Sequence, residues 1–264
     1  MIIMPEDVPI LNRFKEAIDA CVEALETVEV RKELTYHYAI VRVYSKMIVT
    51  SSAIYTLLIN GFPDDATALC RQLYESLVIV NTLLKGKQNN NAELLEKFMD
   101  ASYLAALKDD YLTLSCALNY NSNDQYAKAG IQEVDQIIGQ YLVKYQKEKI
   151  QDFRDYWWAG YNSFGDMADH SDFPRHYIYS LLSDKVHMNA FAVSHYVDAS
   201  EQGLLIGATE KGKEQPLWYT SLFLYCAVGI IHDHFPEMCP LNVIEKLKQF
   251  SEDASNNMKK RKSQ

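Results

Sequence analysis

Helix breakers are scarce in this chain: 10 glycines and 7 prolines in 264 residues. That scarcity, beside long runs at a period of about 3.6, argues for an all-α protein. Cysteine pairs are missing as well. Cys21, Cys70, Cys116, Cys226 and Cys239 are odd in number and widely separated, with no Cys-x-x-Cys among them, which excludes a disulfide framework and predicts reduced thiols in a cytoplasmic protein. There is no Gly-x-Gly-x-x-Gly, no Walker-type loop and no Gly-x-Ser-x-Gly elbow, so the common dinucleotide, nucleotide and serine-hydrolase classes are disfavoured. Net positive charge is absent too. At a formal −9 the overall field repels a polyanion and disfavours broad, non-specific binding to phosphate backbones.

Long apolar runs are also lacking. The most hydrophobic window, Leu217 to Ile231, reaches about 15 residues where a membrane span needs roughly 20, so it is predicted to be a buried core helix and no membrane contact is expected. The start, Met-Ile-Ile-Met-Pro-Glu-Asp, has neither the basic flank nor the apolar run of a secretory signal, and no export is predicted. Four cations, Lys259, Lys260, Arg261 and Lys262, gather near the other end. They complement a helix C-terminus and are expected to form a solvated tail.

What is present is long helical periodicity. Hydrophobic residues make up 48% of the chain, enough to bury a substantial core without metal or disulfide. Leu11, Phe14, Ile18, Cys21, Val22 and Leu25 share one stripe, predicting a first helix over about Val8 to Val30. Others are predicted over about Arg31 to Asn60, Asp64 to Lys85, Ala92 to Leu118 and Gln125 to Lys149. Short helical pieces rich in aromatics should follow through Pro174, then a helix or helix pair from about Arg175 to Ser200. Gly203 to Pro216 has the glycines and charge of an exposed loop or small hairpin and is the best candidate for a flap. An apolar helix over Leu217 to Phe235 and a last one from about Leu241 complete an all-α, single multi-helix bundle with long antiparallel helices. Residues 1–250 are expected as one helical domain and 251–264 as the basic tail.

Two polar constellations interrupt these apolar helices. Arg71 and Glu75, four apart, share a helical face and can pair with each other or reach a neighbouring helix. Tyr179, Ser183 and His187 repeat at i, i+4, i+8, with Asp184 three before His187, and form a second polar seam. A histidine beside a carboxylate and a hydroxyl suits general acid–base chemistry; an Arg–Glu pair suits anion recognition. Either set is also what a buried, fully paired structural network looks like. Asp184 and His187 could present two metal ligands on one face, with Glu75 or Glu33 adding another. The paired Glu-x-x-His motifs of a carboxylate-bridged di-iron bundle are nevertheless absent, so no metal and no cofactor is expected.

With Arg71-x-x-x-Glu75, the aromatic block at Trp157-Trp158, Met167-Ala168, Tyr179 and Leu182-Ser183-x-x-Val186-His187 in this order, the chain resembles the bacterial family called domain of unknown function 5677 over about Gly61 to Ala192. The resemblance implies an all-helical fold and a bacterial origin, and brings no established activity. Such domains look broadly like HEPN proteins, many of them ribonucleases of toxin or antiphage systems with a composite site across a dimer. Arg31 and His37 fit the HEPN spacing of Arg, four to six residues, then His.

Three functions follow from these readings. The first is a non-enzymatic interaction or regulatory module, homodimeric or bound to a protein partner, whose two constellations form one network. The second is a metal-independent ribonuclease, with RNA as partner, in which His187 or His37 takes the 2′-hydroxyl proton and Arg71 or Arg31 stabilises the phosphate. The third is a pocket for a small anion, anchored by Arg71 and covered by the Gly203 to Pro216 loop.

Overall fold

Thr35 caps the second helix by accepting a hydrogen bond from Tyr38 N at 3.1 Å, and that one side chain explains why the helix starts at Tyr36 rather than at Arg31. A computed structural model of the protein describes residues 8–30, 35–173, 179, 182, 197–198, 203–204 and 212–262. The fold is all-α, as the periodicity predicts. In chain order the helices whose bounds fall among the described residues are α1 (Val8–Glu26), α2 (Tyr36–Ile59), α3 (Pro63–Gln88), α4 (Ala92–Tyr120), α5 (Gln125–Lys144), α6 (Phe164–Asp169), α7 (Glu214–His232) and α8 (Leu241–Lys262), with short 3₁₀ turns at Ile150–Asp152 and Trp157–Ala159. Among the described residues no helix is long and apolar enough to cross a membrane.

Several boundaries differ from the sequence expectation, each for a local reason. Gly61, at φ +80°, turns the chain out of α2, and Pro63 opens α3 at the position where a missing N–H costs nothing. Gln146, at φ +53°, takes the chain out of the helical register just beyond α5, which therefore stops at Lys144 rather than Lys149. Val197–Asp198 is not helical: it pairs antiparallel with Gly203–Leu204, and the β-branched Val197 suits extended chain. The expected loop also ends early. Gly212 turns at φ +90°, Lys213 and Glu214 are buried, and α7 begins at Glu214 with Pro216 tolerated in the first turn. Residues 205–211 of that loop lie outside the described residues.

The chain divides into two compact units. The larger comprises residues 1–85 and 168–264 and contains α1, α2, nearly all of α3, α7 and α8. Its α1 packs on α2 and α8, and α8 packs on α7. Phe14 lies at the centre of one contact, fully buried, stacked on Phe250 at 4.7 Å and edge-on to Tyr55 at 5.8 Å. Burying such a ring contributes about 1.5–3 kcal/mol. On α8, Val243, Leu247, Phe250 and Ala254 are all buried at helical spacing, and the helix runs on to Lys262.

The smaller unit, residues 86–167, is built on the α4–α5 hairpin. Asn91 and Asp124 cap the two helices through Leu94 N and Ala127 N. Leu104, Leu107, Val134, Ile138 and Phe153 form its core, with Trp157 packed against them. At the same end Lys144 reaches Asp100 and Glu96, each at 2.6 Å, and the Tyr145 hydroxyl donates to Asp100 at 2.6 Å. Phe98 meets the buried Trp158 edge-on at 4.9 Å.

Candidate functional site

One face of α3 is a ladder of anchoring points. Its apolar positions, Leu73, Leu77, Val80 and Leu84, are buried. Arg71, Tyr74, Glu75, Asn81 and Lys85 fall at i, i+3, i+4, i+10 and i+14, which keeps them on one side of the helix as a polar edge.

Arg71 stands at the upper end of that edge. Its Nε donates to Glu75 Oε1 at 2.9 Å and its Nη2 donates to the Tyr179 hydroxyl at 2.8 Å. The guanidinium also lies over the Tyr179 ring, 5.0 Å from the centroid, a cation–π contact in a half-buried place. The Arg71 and Glu75 side chains are only 22% and 25% exposed. Burial pulls the Arg71 pKa down, but the hydrogen bond and charge of Glu75, with Tyr179, outweigh it and hold the group above its ordinary value. Arg71 is therefore held as a cation.

Tyr74 continues the ladder. Its hydroxyl donates to the Phe173 carbonyl at 2.7 Å, and its ring sits between Tyr179, at 6.0 Å, and Phe223 of α7, at 5.4 Å. Phe223 is stacked in turn on Tyr219 at 5.9 Å. Two turns further on, Asn81 Nδ2 donates to Asp172 Oδ2 at 2.9 Å, the Asp172 amide donates back to Asn81 Oδ1 at 3.3 Å, and Lys85 Nζ donates to Asp172 Oδ1 at 2.8 Å. These bonds from Lys85 and Asn81 hold the Asp172 carboxyl below its usual range. The polar edge of α3 thus grips Asp172, Phe173 and Tyr179 at successive points.

Of the six residues singled out in the sequence, the structure brings together Arg71, Glu75 and Tyr179. Ser183, Asp184 and His187 lie outside the described residues, as does Arg31. His37 is described and is engaged elsewhere: its Nε2 is 3.5 Å from Glu237 Oε1 and its ring meets Phe235 edge-on at 5.4 Å. Tyr74, Asn81, Lys85 and Asp172 were missed by sequence reasoning. Asn81, a lone amide inside Val78-Ile-Val-Asn-Thr-Leu-Leu84, was the available signal, because a buried amide needs a partner.

Residues 37–204 match a family of unknown function, DUF5677. The chain belongs to that family. The whole α3 ladder, from Arg71 to Lys85 and from Asp172 to Tyr179, falls inside the DUF5677 match, as does the α4–α5 hairpin. No curated protein and no solved structure matches the chain.

Chemically, an arginine, a glutamate and a tyrosine so joined can recognise and anchor. Glu75 accepts from Arg71, and Tyr179 accepts from the same guanidinium. Among the described residues no three His, Cys, Asp or Glu side chains converge as a metal site requires.

Proposed function

We propose that the chain is a helical interaction or regulatory module in which α3 holds Asp172, Phe173 and Tyr179, rather than a hydrolytic enzyme. The observation that carries this reading is the engagement of Arg71. A guanidinium that anchors a phosphate presents its fork to the ligand, whereas Arg71 directs Nε to Glu75 and Nη2 to Tyr179. The same face of α3 makes the same kind of contact again at Tyr74–Phe173 and at Asn81–Asp172–Lys85. A row of anchors along one helix is what positions a segment, and a network of satisfied polar groups rigidifies what it joins.

The test is thermal unfolding of Arg71→Ala and His187→Ala, each beside an RNA-cleavage assay. The module reading expects Arg71→Ala to melt earlier than the parent and expects no RNA cleavage by any of the three proteins. A parent that cleaves RNA, with folded variants that do not, would replace it by the HEPN-like ribonuclease reading. Saturable binding of inorganic phosphate that Arg71→Ala abolishes would replace it by the anion pocket.

A further inference from the structure

The smaller unit holds a cavity whose lining joins two chemistries. Its volume is about 580 Å³, and Ile138 and Leu142 of α5, with Ile150 of the 3₁₀ turn that follows, give it an apolar lining. Lys108, Lys149 and Asp135 line it as well.

The course of the chain puts the two lysines at one turn. Beyond α5 the Lys147 amide donates back to the Leu142 carbonyl at 2.9 Å, so the segment carrying Lys149 starts from the last turn of that helix. Lys149 immediately precedes the Ile150–Asp152 turn, and the Lys108 ammonium donates to the carbonyl of Phe153, which immediately follows it. The two cations thus bracket one short turn, about 8 Å from end to end. Asp135 stands apart. With Ile138 and Leu142 it falls at i, i+3 and i+7 on one stripe of α5, which sets it about 10 Å along the helix from Leu142.

Neither lysine is neutralised by the protein. Among the described residues neither Lys108 nor Lys149 forms an ion pair, whereas Lys144 of the same unit is paired with both Asp100 and Glu96. The Asp152 carboxylate, one turn on from Lys149, accepts instead from the backbone amides of Glu148 and Lys149, at 3.2 and 3.1 Å.

We propose that this cavity binds a free amphipathic carboxylate, its head at the turn that Lys108 and Lys149 bracket and its chain along Ile138, Leu142 and Ile150. The site lies within the smaller unit and does not depend on the reading of α3. Charge selects the head, because two cations without a carboxylate partner attract an anion and repel a cation. The apolar lining selects the body, since apolar walls with a few placed charges are what bind and orient a small ligand. Volume selects the size: pockets of about 300–1,000 Å³ take small molecules.

The experiment is isothermal titration calorimetry of the full chain with hexanoate, octanoate and decanoate, each below its micelle concentration. Every methylene buried against the apolar lining should tighten Kd about fourfold, so decanoate should bind on the order of tenfold better than octanoate. Decylammonium has the same chain and the opposite charge, and should bind at least about tenfold more weakly than decanoate. Lys149 is exposed, so Lys149→Glu leaves the fold intact, and it should narrow or reverse that preference for the anion. No binding of decanoate by the parent, an affinity indifferent to chain length, or equal affinity for decanoate and decylammonium would each overturn the proposal. So would a Lys149→Glu variant with the parent's preference unchanged. Phosphatidylglycerol vesicles separate a free ligand from a lipid surface: the chain should stay in the supernatant, and co-sedimentation that Lys149→Glu abolishes would replace the free carboxylate by a membrane.

Discussion

Arg71 and Tyr179 are 108 positions apart in sequence, and the Arg71 Nη2 donates to the Tyr179 hydroxyl at 2.8 Å. A bond of that span closes a long loop, so its loss should be felt in global stability. Tyr179→Phe removes the acceptor and keeps the ring under the guanidinium. It should cost about 0.5–1.5 kcal/mol, and Arg71→Ala, which also strands Glu75, about 1–3 kcal/mol. Urea unfolding of the two single variants and the double variant measures the coupling, expected above about 0.5 kcal/mol. Strict additivity would mean that the contact contributes nothing to folding.

Asp172 gives a pH signature at the other end of the ladder. Hydrogen bonds from Lys85 and Asn81 lower its pKa in the folded chain below the ordinary 3.8 that it regains on unfolding. The unfolded chain therefore binds the proton more readily. The stability due to Asp172 is complete above about pH 4 and is lost as pH falls through the folded value. Its side chain is 64% exposed, so the contribution is screened and stays under about 1 kcal/mol. The parent should exceed Asp172→Asn in urea stability at about pH 7, with the gap shrinking by about pH 2.5. A gap independent of pH would assign the effect to packing.

The helices were legible because amphipathic stripes such as Leu11, Phe14 and Ile18 repeat over several turns and leave no competing period. Ends were less legible, since they depend on single residues: a Thr35 cap, a Gln146 in the left-handed region. Arg71 and Glu75 could be paired from their spacing alone. That Tyr179 joins them could not, because a contact across a fold leaves no local pattern. The Asn81–Asp172 pair was invisible for the same reason, and Lys213 and Glu214 were misread because charged residues before a proline ordinarily mean a loop.

The five cysteines should separate by reactivity. Burial pushes the Cys21 thiol up to about 11 and the Cys70 and Cys239 thiols each up to about 12, and raises Cys226 as well. The thiolate is the nucleophile, so these groups are inert at neutral pH. Cys116 is exposed. A disulfide reagent added to the dilute native chain should therefore titrate one fast thiol, with the rest released only by denaturant. A second thiol reacting as fast would mean that one of the other four is reached in the native chain.

Two glycines of the smaller unit should respond in opposite directions to alanine. Gly139 lies within α5, and a Cβ built there meets nothing within 4 Å. Alanine at that site restricts the unfolded chain and favours helix, so Gly139→Ala should stabilise by about 0.5–1 kcal/mol. Gly160 also has open space, but it closes the Trp157–Ala159 turn at φ +82°, where an L side chain is strained. Gly160→Ala should destabilise by about 1–2 kcal/mol, with space playing no part in the loss. Thermal unfolding of both variants decides the point: a melting temperature raised by Gly160→Ala would mean that the turn relaxes without cost, and one lowered by Gly139→Ala would mean that something in the folded protein approaches α5 at that position.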